Sequence, residues 1–186
     1  LHKEYRRQRQ MCIRDSRYKD VELFPKPLQE RIPIYFGGNN VNQLYRTATL
    51  GDGWLPAGLP LDRITADIVH LRQLCTNAGR DFSEIAIAPQ YIALVDHNHD
   101  RAVARFTSSQ MHKHLVSLTQ STLKEQAGVS MVDANLVGTP TEVVQKAQAL
   151  KAAGVTHLLG LYFAVNTAEE ILDQMTLFAE EVAPRL

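Results

Sequence analysis

A glycine pair followed by two asparagines, Gly37-Gly38-Asn39-Asn40, lies between an apolar run that predicts a strand and an amphipathic run that predicts a helix. Glycine lets backbone N–H groups approach a ligand closely, and a helix N-terminus adds unpaired donors and a positive dipole end. This combination favours a phosphate group, although a glycine pair after a strand is also typical of a tight turn. The spacing matches neither G-x-G-x-x-G nor a P-loop, which argues against dinucleotide and nucleoside triphosphate sites of those types.

A second candidate is Asp52-Gly53-Trp54, which contains the only tryptophan of the sequence. Trp54 lies in a short predicted strand, toward the end at which a (β/α)8 barrel places its active face. A buried aromatic ring that packs against a helix is the competing interpretation, and the residues alone leave both open.

The histidines do not form a recognisable catalytic or metal site. His97 and His99 lie in a polar turn, and a helix would point the rings of His112 and His114 about 200° apart. His157 lies inside an apolar run, where a hydrogen-bonded core histidine is the simpler interpretation. Because no Ser/His/Asp or Cys/His arrangement stands out, the sequence predicts no metal site and assigns no catalytic residue.

The elements that position these residues are predicted strands that alternate with helices, which favours βα units around a parallel sheet. Capping boxes at Thr139–Glu142 and Thr167–Glu170 predict two helix starts. The last helix is expected to bury Ile171, Leu172, Met175, Phe178 and Val182. The segment 100–135 is predicted as a helical excursion. Four strands are predicted, at residues 32–36, 53–57, 85–95 and 156–163.

Length limits the choice of fold. The chain has 186 residues, whereas a closed eight-stranded barrel needs roughly 250 and a small open α/β sheet fits in roughly 150. Four strand–helix units in residues 20–186 therefore predict either a small open sheet or half of a barrel.

The net charge of zero is divided unevenly between two segments. Residues 1–19 hold seven Lys or Arg and two acidic residues, whereas residues 20–186 carry a net charge of −5. A basic arm that binds nucleic acid or anionic lipid is one interpretation of the leader. We favour a non-native or disordered segment, since residues 11–16 resemble translated adapter sequence. The acidic body, the presence of only two cysteines in the chain (Cys12 and Cys75) and the absence of a long apolar run predict a cytoplasmic protein without nucleic-acid or membrane partners.

Several spaced motifs resemble the C-terminal half of luciferase-like monooxygenases. The sequences Gly-Asp-Gly-Trp-Leu-Pro at 51–56 and Gly-Arg-Asp at 79–81 are most similar to the branch that uses the deazaflavin coenzyme F420, with FMN users as close relatives. The motifs are those of residues 20–29, 32–38, 48–56, 78–81, 137–140 and 178–184.

The resemblance implies an α/β fold, a partial (β/α)8 TIM barrel of about four βα units that correspond to strands five to eight. It also implies that Gly37, Gly38, Asn39 and Asn40 hold the phosphate end of coenzyme F420 or FMN, and that the segment containing Gly53 and Trp54 lines the same cavity. The chemistry implied is oxidation or oxygenation of a small-molecule substrate by an enzyme that is a homo-oligomer at full length.

Family members carry their first four strands, and most groups that contact the reactive ring, upstream of the matching region. We therefore expect a fragment of such an oxidoreductase, inactive by itself. The alternative is a self-standing half-barrel that acts as a binding or assembly module.

Overall fold

Parallel strands alternate with helices along the chain. A computed structural model describes residues 24–25, 28–121 and 123–186. The chain divides into two units, Leu1–Ile32 and Pro33–Leu186, and every element named below belongs to the second unit. The predicted leader, residues 1–19, lies outside the described residues.

The first part of the second unit contains three short strands and two helices. Helix α1 is capped by Asn40, whose side chain accepts a hydrogen bond from the Gln43 backbone N–H at 3.3 Å. In chain order, the elements are β1 (Tyr35–Gly37), α1 (Val41–Leu50), β2 (Gly53–Leu55), α2 (Leu61–Asn77) and β3 (Ala86–Ile87).

The second part contains three strands and four helices. Both predicted capping boxes are confirmed, because Thr139 with Glu142 starts α5 and Thr167 with Glu170 starts α6. The elements are β4 (Gln90–Val95), α3 (His99–Ser108), α4 (Gln110–Leu118), β5 (Leu136–Gly138), α5 (Pro140–Ala153), β6 (Leu159–Phe163) and α6 (Ala168–Leu177), which continues as a π-helical turn, Phe178–Val182.

The strands form two parallel three-stranded sheets, with the orders β1-β2-β3 and β5-β4-β6. A parallel bridge between Ala57 and Gln90 links β4 to the end of β2, and the Gln90 N–H donates to Pro56 O at 2.9 Å. The predicted strand 85–95 is therefore broken at Ala88-Pro89. Proline has no N–H for the ladder, so the chain changes partners at this point.

The main core lies between the strands and three helices. Trp54, Tyr91 and Val95 on the strands pack in one cluster with buried side chains of α1, α2 and α5. A smaller cluster forms on the other face of β4, where Ile92 and Leu94 pack with residues of α3 and of the segment 131–134. Strand β4 is consequently covered on both faces, as expected for a central parallel strand.

The α/β prediction is confirmed, but the prediction of four strands was wrong. The described residues contain six strands, because the break at Pro89 divides one strand and β5 lies just after the predicted helical excursion, where no strand was predicted. The expected burial in the last helix is confirmed for Val182, and Phe178 packs partly buried against the main core. It was wrong for Ile171, Leu172 and Met175, which are exposed, because α6 turns Gln174 inward instead.

Candidate functional site

The loop that leaves the carboxyl end of β1 is held closely against β2. Gly38 has a φ of 108°, a backbone conformation that favours glycine. Its N–H donates to Leu55 O at 3.2 Å, and its carbonyl accepts a hydrogen bond from the Trp54 indole Nε1 at 2.9 Å. Both backbone groups of Gly38 therefore bind the neighbouring strand, so the donors that remain for a ligand must lie further along the loop.

Those donors are the first N–H groups of α1 and the side chain of Asn39. The N–H groups of Val41 and Asn42 have no acceptor within the helix, because they belong to its first turn. Asn39 is 5% exposed, and its Oδ1 accepts from the Ala57 N–H at 2.9 Å. Its Nδ2 is buried and makes no hydrogen bond within the described part of the chain. The loop thus combines a fixed backbone with unpaired donors.

Gly53 and Trp54 support this loop from β2. Trp54 is fully buried in the main core, and only its indole N–H reaches the loop, at Gly38. Gly53 pairs in register with Tyr35, and a Cβ at position 53 would overlap the Tyr35 ring. Trp54 therefore lies where a core aromatic residue would lie, and it contacts the loop through the hydrogen bond of its indole N–H.

A cavity of about 310 Å³ opens beyond the end of β2 and beneath α4. Its walls are mostly apolar, and His114 and Tyr162 supply titratable groups at exposed positions. A concave, mainly apolar site with a few polar groups is typical of a small-molecule pocket. The lining comprises Ala57, Gly58, Gln90, Ile92, Met111, His114, Leu115, Leu118, Leu123, Gln126, Asn135 and Tyr162.

Two residues that the sequence did not single out fix one wall of this cavity. The buried Asn135 accepts from the Ile92 N–H at 3.0 Å and donates to Met131 O at 2.8 Å. The Lys146 ammonium donates to the carbonyls of Asp133 and Asn135. Burial lowers the pKa of Lys146 to about 8. These contacts hold the turn before β5. No sequence motif around Asn135 or Lys146 predicts them.

A cluster of charged residues closes the carboxyl end of β4. Asp96 is 6% exposed and binds the Arg101 guanidinium at 2.5 to 2.8 Å and Arg105 at 3.3 Å. These hydrogen bonds, those from Arg101 first, lower the pKa of Asp96 to about 2. Arg105 also lies 3.6 Å from Glu170. The cluster joins β4, α3 and α6 and involves no group that faces the 310 Å³ cavity.

The described residues contain no group of three or more His, Cys, Asp or Glu side chains that could hold a metal ion. None of their helices combines the length and apolarity that crossing a membrane requires.

Parallel strand–helix units with a loop and a cavity at the carboxyl ends of the strands place the chain among the α/β proteins that bind ligands at this edge of the sheet. Residues 11–157 match the sequence profile of the luciferase-like monooxygenases. This match covers more than half of the chain, which therefore belongs to the luciferase-like monooxygenase family.

Solved structures with the same fold include enzymes that use either coenzyme. The F420-dependent tetrahydromethanopterin reductase from Methanopyrus kandleri is 20% identical, with a TM-score of 0.57 over 82% of this chain and 50% of its own. An F420-dependent secondary alcohol dehydrogenase is 19% identical, with a TM-score of 0.66 over 89% and 52%. The oxygenating constituent of 3,6-diketocamphane monooxygenase from Pseudomonas putida, solved with FMN, is 17% identical, with a TM-score of 0.54 over 82% and 48%. The chain spans about half the length of these proteins.

Proposed function

We propose that this chain forms the part of a flavin- or deazaflavin-dependent oxidoreductase that holds the phosphate end of the coenzyme. In this proposal β1, β2, the combined β3 and β4, and β6 correspond to strands five to eight of a (β/α)8 barrel, and the three-residue β5 is an additional strand beside β4. The family membership and the parallel order of the strands support it.

The observation that carries the proposal is the loop after β1. Gly38 adopts a left-handed conformation between a strand and a helix start, and Asn39 keeps a buried amide donor without a partner. Unpaired N–H donors beside a helix N-terminus suit a phosphate group. The residues present therefore fit the phosphate end of coenzyme F420 or FMN.

Each residue of the predicted site receives a role in this proposal. Gly37 and Gly38 keep side chains away from the ligand, and Asn39 and Asn40 provide a donor and the helix cap. We assign Gly53 and Trp54 a positioning role, since Trp54 binds the Gly38 carbonyl at 2.9 Å. The bound coenzyme would supply hydride transfer or oxygen activation, and the chain would orient it and exclude water.

The 310 Å³ cavity is the proposed site of a small-molecule substrate. Its apolar wall would take an apolar part of that molecule, and Gln90, His114 and Tyr162 would contact polar atoms. Coenzyme F420 is our first choice of coenzyme because the sequences of residues 51–56 and 79–81 resemble those of the branch that uses it. FMN is the alternative.

The proposal is tested by fluorescence titration of the chain with coenzyme F420 and with FMN. We expect weak binding, with a Kd above the micromolar range, and no turnover, because the chain spans only about half of the structures it matches. A micromolar or tighter Kd would contradict the expectation that this chain contains only part of the coenzyme site. Binding of neither coenzyme, even at millimolar concentration, would overturn the phosphate assignment.

A second candidate function is a self-standing half-barrel that assembles with another half. The exposed rings of Tyr35 and Tyr162, both on the strand face opposite the main core, favour it. Stable dimers of constant mass that bind neither coenzyme would support this alternative.

For the oxidoreductase, we also propose a cytoplasmic location and a homo-oligomeric full-length enzyme.

A further inference from the structure

One face of helix α4 forms an apolar wall of the 310 Å³ cavity. Met111, Leu115 and Leu118 lie at helical spacing on this face, and all three line the cavity. Ile92 of β4 and Leu123, just after α4, complete the wall. The three α4 side chains and Leu123 are only partly buried, so their apolar surface is accessible to a ligand. Burial of that surface favours a ligand with an apolar body.

The polar side chains of the cavity are amides, an imidazole and a phenol. Asn135 binds backbone groups through both its oxygen and its nitrogen, and Gln126 donates to Gly58 O at 2.8 Å. These two amides therefore fix the walls. Three further side chains have no hydrogen-bond partner within the part of the chain that the structure describes: Gln90, His114 and Tyr162. They can bind a hydroxyl or carbonyl oxygen of a ligand.

The described residues that line the cavity include no Lys, Arg, Asp or Glu. An ionised carboxylate or ammonium group placed against the apolar wall would lose water and gain no counter-charge, which is costly. His114 is the one lining side chain among them that can become a cation in mild acid. At neutral or higher pH the lining therefore favours an uncharged ligand.

We propose that the 310 Å³ cavity selects an uncharged substrate, an aliphatic chain or ring that carries a hydroxyl or carbonyl oxygen, and that the inner face of α4 sets this selectivity. At about 30 Å³ per water-sized atom, the cavity holds about ten heavy atoms. The inference deepens the proposed function and rests on it for the reaction alone, because the lining itself determines which molecules bind.

The test compares three probes with equal numbers of carbon atoms, 2-octanone, octanoate and octylammonium. Their binding to the full chain is measured by ligand-observed NMR at pH 8, at which histidine is ordinarily neutral. We expect 2-octanone to bind at least ~10-fold more tightly than either ion, because only the ions lose hydration of a charge. This comparison uses the unaltered chain and needs no variant.

Leu118→Lys tests whether α4 sets the selectivity. Leu118 is the last residue of α4 and belongs to neither apolar cluster, and a lysine at a helix C-terminus suits the helix dipole. The new cation should attract octanoate, so we expect the ratio of the octanoate Kd to the 2-octanone Kd to fall at least ~10-fold. General loss of structure would weaken both probes and would not produce this change.

Val116→Lys is the matched control, because it makes the same change in charge on the same helix. Val116 is 44% exposed and does not line the cavity. The ratio of the two dissociation constants should therefore stay as in the unaltered chain. Circular dichroism verifies the fold of each variant.

The outcomes separate this inference from the proposed function. Octanoate or octylammonium that binds as tightly as 2-octanone overturns the inference, as does a ratio that Leu118→Lys leaves unchanged. Absence of 2-octanone binding up to its solubility limit overturns it as well. If coenzyme F420 or FMN binds and 2-octanone is not preferred, the inference fails and the proposed function stands. If 2-octanone is preferred and neither coenzyme binds, the selectivity of the cavity stands and the proposed function fails.

Discussion

The buried amide of Gln174 replaces a missing strand at the end of β4. It accepts from the Val95 N–H and donates to the Val95 carbonyl, each at 2.8 Å. Strand β6 pairs with β4 only as far as Ala93. The next backbone groups of β4 that point toward β6 are those of Val95, and they bind the Gln174 side chain of α6 instead of a strand. Replacing Gln174 by Met keeps the side-chain volume but leaves two buried backbone groups without partners.

Each unsatisfied backbone group costs about 1 to 3 kcal/mol. After allowing for the gain from burying an apolar side chain, we expect Gln174→Met to lower the free energy of unfolding by about 2 to 4 kcal/mol. Urea unfolding followed by circular dichroism measures this change. Gln73→Met is the control, because the Gln73 amide binds Asn77 at an exposed position and its loss should cost less than about 0.5 kcal/mol. A loss below about 1 kcal/mol for Gln174→Met would refute the strand-replacement argument.

Three further predictions concern the loop, the charged cluster and assembly. Gly38→Val should reduce coenzyme affinity at least ~10-fold in fluorescence titration, whereas Gly79→Val, at an equally left-handed glycine with no heavy atom within 4 Å, should not change it. Asp96→Asn should remove about 2 kcal/mol of stability at neutral pH, since the pKa of Asp96 is about 2 instead of 3.8. In the unaltered chain this contribution is present above pH 4 and is lost as the pH falls toward 2; equal acid sensitivity of both proteins would contradict it. Light scattering should show a dimer or larger aggregate, and a monodisperse monomer would count against it.

The sequence predicted the loop better than the elements around the cavity. Local chemistry was sufficient for Gly38, because a glycine between a strand and a helix start constrains the backbone directly. The capping boxes at Thr139 and Thr167 were predictable for the same reason, since all their partners lie within three residues.

The features that were missed depend on long-range contacts. Strand β5 has only three residues and is defined by its pairing with β4, which lies more than 40 residues earlier. Gln174 is a polar residue on an apolar helix, and its burial depends on where β6 ends. The orientation of the Asn39 amide depends on the hydrogen bond that its oxygen accepts from the Ala57 N–H, 18 residues further along the chain. Periodicity and spacing carry no information of this kind.

The hydrogen bonds that tie Gly38 and Asn39 to β2 have a thermodynamic consequence for any ligand of this loop. Gly38 is held through both its N–H and its carbonyl, and Asn39 through Oδ1. The conformational entropy of the loop is therefore lost when the protein folds, and little remains to be lost on binding. A ligand at this position meets a preorganised receptor, so its affinity reflects the contacts it makes and not the ordering of the chain.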